Sequence, residues 1–418
     1  MQIQSLRGMH DIGEPEIHIW QHVESLARQV SSLSGFHEVR TPILEPTALF
    51  KRGVGETTDI VEKEMYTFED RNGDSLSLRP EGTASIVRSV AQHQWHRSVS
   101  TLKMYYLGPM FRHERPQKGR LRQFYQFGLE IVGVAAPWAD VEVMSTQHQF
   151  FQKLGLSENI ELHISSLGDE KCRPAYKELL LKTLRPLAPQ LCSDCQRRME
   201  KNPLRVLDCK VESCRKVAAT LPVMMDHLCE DCDQHFQQVR QGLEALKIPY
   251  QIDPKIVRGL DYYTRTSFEF ITSKVGSQGT LCGGGRYDRL FEDLSGDAVP
   301  GIGCAMGLDR IMIMLEDRIE NYKPKTFAFI LCPNPTTRLK ALEVLKEFRD
   351  SGFRAEMELS DRSFKAQMKQ ADKMGARWCV ILGDDELNRK AATVKNMETG
   401  QQQEISLEQL IKTLASSN

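Results

Sequence analysis

The chain has 418 residues, too many for one compact core, so two or three domains are expected. Hydrophobic residues make up 40% and charged residues 27%, the balance of a globular chain, and no stretch approaches membrane-spanning length. The 55 basic and 56 acidic side chains nearly cancel, which excludes nucleic-acid binding through bulk charge and confines any such surface to a local patch.

Ile17, Trp20, Val23, Ala27 and Val30 recur at helical spacing from Glu16 to Leu33, and Gly35 supplies a stop. Residues 36–44 read as a strand interrupted by Pro42. Strands are expected over Thr101–Phe111 and Phe124–Val134, mixed with helices to about residue 165. Strands broken by turns, with only some helices, predict an α+β fold on a mainly antiparallel sheet. From 168 to 245 the chain turns rich in Cys, Arg, Lys, Glu and Gln with helical periodicity, the pattern of an insertion. β-type sequence resumes at Tyr250–Ile252 and at Tyr262–Ile271, where alternation puts Tyr262, Thr264, Thr266, Phe268 and Phe270 on one face. Residues 1–322 form one expected domain, and Asn321–Lys325 reads as a linker. Beyond it, strands at Phe327–Leu331, Phe353–Glu358 and Trp378–Leu382 alternate with helices at Thr336–Ser351 and Ser363–Met374. That alternation predicts a small α/β domain over 326–418 with a parallel or mixed sheet.

Several segments carry more chemistry than scaffolding needs. Between Arg112 and Arg122, five basic side chains (Arg112, Arg115, Lys118, Arg120, Arg122) accompany one acid, Glu114, in a loop marked by Pro116 and Gly119. The strand after it puts Phe124, Gln126, Gly128 and Glu130 on one face, polar groups where a buried sheet wants apolar ones. Arg79-Pro80-Glu81-Gly82-Thr83 joins a strand to a helix, so Glu81 and Thr83 stand at the helix start. Cys282-Gly283-Gly284-Gly285 reads as a tight turn that brings backbone close to a ligand. Gly307-Leu308-Asp309-Arg310 passes from a small-residue strand into an apolar helix. Arg258-Gly259-Leu260-Asp261-Tyr262-Tyr263-Thr264 combines a planar donor fork with an acid and two tyrosines, suited to an anion held against an aromatic pocket.

Together these segments resemble the histidyl-tRNA synthetases of the class II aminoacyl-tRNA synthetase fold. The Phe111-Arg112-His113-Glu114 start of the basic loop resembles motif 2, Gly307–Arg310 motif 3, and Gly35–Leu49 with Pro42 motif 1, which in this class supports a homodimer interface. Arg258–Thr264 and Leu281–Asp288 resemble the histidine-specific stretches, and 326–418 the family's anticodon-binding domain. The resemblance implies that L-histidine reacts with ATP to give histidyl-adenylate, from which histidine passes to tRNA(His). It assigns Arg112 and Arg310 to the ATP phosphates and Glu114 to the adenine. Glu81, Gly82, Thr83, Arg112, Gln126, Glu130, Arg258, Tyr262 and Tyr263 match the histidine pocket. The resemblance also implies that Arg258 faces Arg112 across the reacting phosphate, with Mg2+ expected on the outer phosphates. Arg115, Gln117, Lys118, Arg120 and Arg122 match the loop that approaches the tRNA acceptor stem. A paralogue that regulates a phosphoribosyltransferase would bind histidine without charging tRNA. Such paralogues generally lack the C-terminal domain and lose catalytic residues, whereas 326–418, Arg112, Arg258 and Arg310 are all present in this chain.

Of eleven cysteines, six lie between Cys192 and Cys232. The odd total, this clustering and an N-terminus without an apolar h-region predict a cytoplasmic setting and metal ligation in preference to disulfides. The knuckles Cys192-x-x-Cys195 and Cys229-x-x-Cys232 have the spacing of a structural Zn2+ site, here expected from those four thiolates, with Cys209 and Cys214 between them. Reduced cysteines packed as small apolar residues are the alternative.

Overall fold

The computed structural model describes residues 3–56, 58–200, 202–207, 209, 211–256, 260–276 and 279–416. Its strands, in chain order, are β1 (His37–Glu38), β2 (Leu44–Pro46), β3 (Thr67–Glu69), β4 (Ser75–Leu78), β5 (Leu102–Phe111), β6 (Gln123–Val132), β7 (Glu161–Ser166) and β8 (Gln251–Ile252). They continue with β9 (Thr264–Ile271), β10 (Thr280–Arg286), β11 (Gly301–Gly307), β12 (Ala328–Leu331), β13 (Ala355–Met357), β14 (Trp378–Ile381), β15 (Ala391–Asn396) and β16 (Gln402–Ser406). Two compact units divide the chain, Met1–Asn321 and Tyr322–Asn418.

The first unit is built on an eight-stranded sheet in the order β1-β5-β6-β11-β10-β9-β7-β8. All inner pairings are antiparallel, and only the edge pairs β1/β5 and β7/β8 are parallel. The predicted α+β class on an antiparallel sheet is therefore the observed one. Alternation along β6 sorts its two faces. Phe127, Leu129 and Ile131 are buried, and the Phe127 ring meets Phe150 of the helix Trp138–Lys153 at 5.5 Å. The other face is left to Gln126, Gly128 and Glu130. The helix Ile17–Leu33 packs on the same covering helix through its buried stripe Trp20, Val23, Ala27 and Val30. It ends as its glycine predicts: Gly35 takes φ 74°, while the Phe36 and Gly35 amides donate to Ser31 and Ser32 at 2.9 and 3.1 Å.

Two expectations about β9 and β10 change. Cys282–Arg286 is a central strand and not a turn, because the glycines are needed for close packing between strands. A Cβ on Gly285 would stand 2.6 Å from the Thr266 carbonyl and 2.9 Å from the Tyr263 ring. The alternation expected from Tyr262 fails at Arg265, which takes φ 46° beside a register shift in the β9/β10 pairing. Tyr262 therefore precedes the strand instead of sharing its face.

Between β7 and β8 the chain forms the helices Arg173–Leu184, Ser193–Met199, Leu204–Leu207, Glu212–Ala218 and Glu230–Ala245 around a small core including Tyr176, Leu180, Val206 and Val217. The second unit carries a mixed sheet, β13-β12-β14-β15-β16, parallel among its first three strands. The hairpin β15–β16 was not anticipated. β16 is mostly exposed and polar, so its sequence lacks an alternating pattern to read.

Candidate active site

The hairpin between β5 and β6 closes on itself before it meets any ligand. The Arg112 amide donates to Arg122 at 2.9 Å, and Gln117 and Arg120 exchange amide bonds of 3.0 and 2.9 Å around Gly119, whose φ is 74°. Arg112 Nε donates to the Pro80 carbonyl at 2.9 Å, and its guanidinium lies 5.4 Å from the Phe124 ring centroid. Pro80 is held in turn by its neighbour: buried Arg79 bonds the carbonyls of Pro109 and Thr41 at 3.0 and 2.9 Å. The fork of Arg112 is thus oriented from two sides on the wall of a pocket.

Glu81, Thr83, Arg112, Glu114, Gln126, Tyr262, Tyr263 and Arg310 all line that pocket, with Arg120, Phe124, Thr280, Gly283 and Asp309. Distant segments converge there, although the residues span more than half the chain. Arg310 is fixed by Nε donation to the Gly119 carbonyl at 3.0 Å and by a second bond to the Thr280 carbonyl. Burial, and then the nearby Arg120 charge, make its guanidinium less basic than usual, so it would gain from an anion.

The lining also carries acids. Glu81 caps the helix Thr83–Gln92, accepting from the Thr83 and Ala84 amides at 2.7 and 2.9 Å. Burial nevertheless raises its carboxyl above the ordinary range. Glu130 lies one layer deeper. Its two oxygens accept from Thr83 Oγ1 at 2.6 Å and from the Tyr287 hydroxyl at 2.5 Å, and complete burial still pushes it well above the usual carboxylate range. It lies outside the pocket lining because small residues make room below: a Cβ on Gly303 would overlap its carboxylate. Glu130, expected in the histidine pocket, stands beneath that lining and accepts from Thr83, which is part of it. Gly82 has the same kind of explanation. The Tyr106 ring is wedged between Gly82 and Gly128, and a Cβ at either would overlap it. Gln126 Oε1 and the Tyr106 hydroxyl are buried without a hydrogen-bond partner among the described residues. Tyr262 and Tyr263 are buried, with ring centroids 4.6 Å apart, and Tyr262 meets Tyr287 edge-on at 5.9 Å. Arg258 lies outside the described residues.

Sequence reading missed Tyr106 and the exact work of Tyr287, since nothing local marks a strand tyrosine as bordering a carboxylate. Asp309, half-buried on the pocket wall, accepts the Tyr125 amide at 2.7 Å, and burial raises its carboxyl to about 6. Two basic residues of the loop turn away from the surface expected for tRNA. Arg120 forms an ion pair of 2.5 Å with Glu114 inside the pocket, and Arg122 Nε bonds the Glu114 carbonyl at 3.2 Å. The Glu114 carboxylate holds the first guanidinium and its backbone carbonyl the second. Arg115, Gln117 and Lys118 stay exposed.

The cysteines also regroup. Cys192 and Cys195 converge with Cys209 and Cys214, whereas Cys229 and Cys232 converge with Cys172 and Asp169. The expected single set, Cys192, Cys195, Cys229 and Cys232, does not form, because each knuckle opens a different helix and faces different partners.

A sheet whose polar face carries one arginine on a hairpin and another on the helix after the last strand has the arrangement of a class II aminoacyl-tRNA synthetase. The family model described as Histidyl-tRNA synthetase matches residues 8–311, and that described as Anticodon binding domain matches 328–417. A "Histidine--tRNA ligase" of Trichlorobacter lovleyi is 47% identical over 98% of this chain and 97% of its own. One of Syntrophotalea carbinolica is 46% identical over 99% and 98%. The solved apo histidyl-tRNA synthetase of S. aureus superposes with a TM-score of 0.84 at 36% identity, over 99% of this chain and all of that one. The chain belongs to the histidyl-tRNA synthetase family, and it is an aminoacyl-tRNA synthetase, hence a ligase. Among the described residues no helix is long and apolar enough to cross a membrane.

Proposed function

We infer that the pocket is where the family's reaction runs in this chain. L-histidine and ATP give histidyl-adenylate and pyrophosphate; histidine then passes to the 3′ end of tRNA(His) with release of AMP. The carrying observation is the mixed polarity of one pocket. Buried Glu81 and the orphan Gln126 oxygen line it, with Glu130 beneath, and so do Arg112, Arg120 and Arg310. Histidine offers an ammonium and ring N–H donors to the acids and presents its carboxylate toward the arginines. A site that hydrogen-bonds both ring nitrogens rejects isosteres by leaving its own polar groups unpaired.

In the first step the histidine carboxylate attacks the α-phosphate of ATP, and negative charge builds on phosphate oxygens. Arg112, oriented in advance, stabilises that charge without reorganising. The family motif gives Arg258 the matching position across the phosphate and Arg310 the γ-phosphate. Mg2+ bound with ATP would supply charge neutralisation at its outer phosphates. Glu114 meets the adenine once Arg120 yields to the nucleotide.

Arg115, Gln117 and Lys118, the last in an exposed ion pair with Glu316, are the solvent-facing loop residues placed to meet the tRNA acceptor stem, and residues 328–417 meet its anticodon. The chain works in the cytoplasm as a homodimer. Support for the dimer comes from motif 1, where Ile43 and Leu44 are exposed, with exposed Leu33 just before it.

Histidine-dependent ATP–pyrophosphate exchange tests the activity, and absence of exchange rejects it. Arg258→Ala should slow adenylate formation in rapid-quench experiments far more than it raises the histidine KM; an unchanged rate removes that residue from the chemistry.

A further inference from the structure

Seven of the eleven cysteines fall into the two clusters above, while Cys282, Cys304, Cys332 and Cys379 are buried separately. We propose that the insertion is a two-zinc module, with one centre made by Cys192, Cys195, Cys209 and Cys214 and a second by Asp169, Cys172, Cys229 and Cys232.

The geometry favours metal over its two rivals. Four thiolates around Zn2+ at about 2.3 Å stand about 3.8 Å apart along the edges of a tetrahedron. The sulfurs of Cys192 and Cys209 are 3.9 Å apart, and all four donor atoms of each cluster lie within 4.8 Å of one another. A disulfide needs about 2.05 Å, and every one of these cysteines is free. In the second cluster a Zn–O bond of about 2.1 Å would set sulfur–oxygen edges of about 3.6 Å. Asp169 Oδ1 is 3.4 Å from the Cys172 sulfur and 3.9 Å from that of Cys229. Thiols packed as small apolar groups would not gather a carboxylate among them.

The surroundings are those of ligating thiolates. Both knuckles open helices, with Cys192 and Cys229 at the N-cap and Cys195 and Cys232 in the first turn, where the helix dipole favours negative sulfur. The Cys192 amide donates to Cys214 Sγ and the Cys229 amide to Cys172 Sγ, each at 3.1 Å. The other oxygen of Asp169 lies 3.3 Å from Arg265 Nη2, and Oδ1 accepts the Lys171 amide at 3.0 Å, contacts that orient a ligating carboxylate.

The two centres do different work. The tetrathiolate lies wholly within the insertion and fastens the short helices Ser193–Met199 and Glu212–Ala218. The mixed centre, one carboxylate with three thiolates, ties the place where the chain leaves the sheet, at Asp169 and Cys172, to the helix by which it returns. It reaches the catalytic unit through Arg265 in β9. Next to Cys172, Arg173 bonds the carbonyls of Leu167 and Tyr263, so this neck adjoins the pocket tyrosines.

Elemental analysis of full-length protein purified without a metal-affinity tag tests the proposal, and two zinc ions per chain are expected. One equivalent or less, or iron in place of zinc, overturns it. Cys214→Ser and Cys232→Ser should each leave one equivalent, and the double variant none. Loss of both ions from either single variant with its circular dichroism unchanged overturns the division into separate centres. Titration of the native protein with a thiol-blocking mercurial needs no variant: release of two equivalents supports the module, and release of one rejects it.

Discussion

The pocket and the cysteine-rich insertion both gather residues from distant parts of the chain, but they do so with different kinds of order. In the pocket the gathering is done by backbone. β5, β6, β11 and β10 run in unbroken antiparallel register, so Gln126, Glu130 and Gly283 are placed by ladder bonds, and the arginines are oriented by carbonyls of Pro80, Gly119 and Thr280. In the insertion, helices of seven, four and seven residues (Ser193–Met199, Leu204–Leu207, Glu212–Ala218) are too short to hold themselves. Their order rests on a small core and on the thiol clusters. Removing a side chain should therefore change chemistry in the first region and change folding in the second.

The largest effect is expected at Arg112. Arg112→Ala should lower the rate of adenylate formation about 10²–10³-fold, measured by single-turnover kinetics, with the melting temperature nearly unchanged. Arg112→Lys should not restore it, because an ammonium cannot reproduce the oriented fork. If the alanine variant melts far lower at full activity, the pocket is no better ordered by its backbone than the insertion.

Glu130→Gln comes next. Thr83 Oγ1 and the Tyr287 hydroxyl both donate to this carboxylate, and the amide offers one of them a donor instead. A buried mismatch of about 1–3 kcal/mol corresponds to a histidine KM raised about 10- to 100-fold. An effect on kcat with KM constant would contradict a positioning role through Thr83.

Asp309 sharpens the comparison through pH. Its carboxyl is raised to about 6 in the folded chain, so its stabilising contribution is complete below the unfolded value near 4 and is lost as pH rises through 6. Asp309→Asn keeps an oxygen for the Tyr125 amide and removes the charge. Urea unfolding from pH 4 to 7 should show the wild type losing about 1–2 kcal/mol that the variant retains, a figure reduced for partial exposure. Parallel curves would mean that Asp309 titrates normally.

The smallest effect is the most discriminating between regions. Cys232→Ser should raise the histidine KM a few-fold, on the order of 1 kcal/mol, because the neck carries Arg173 to the Tyr263 carbonyl. Cys214→Ser, deeper in the insertion, should leave KM alone. Equal changes in both variants would show that the insertion responds as one body.

Much of this was legible in the residues. Glu81, Thr83, Gln126 and Arg310 stood out as polar groups on a strand face or at a helix start, Arg112 and Glu114 in a basic loop, and Tyr262 and Tyr263 in an arginine–tyrosine segment; the family resemblance joined them, and all of them line the pocket. The antiparallel core could be read from interrupted strands, and the C-terminal unit from alternating β and α patterns. These are local properties: a period, a cap or a charge misplaced on a face is written in neighbouring residues. Partnership across the fold is not. That Glu130 lies beneath Thr83, that Gly82 and Gly128 leave room for the Tyr106 ring, and that Gly283–Gly285 form a packed strand depend on which strands lie side by side. Arg120 turning to Glu114 depends on burial, which weakens the competition from water. The cysteines show the limit most plainly. Their paired spacing pointed to a metal and put the two knuckles together, but each two-residue knuckle supplies only half of a tetrahedron. The other half comes from Cys209 and Cys214, or from Cys172 and Asp169, and only the packing of the helices selects between them.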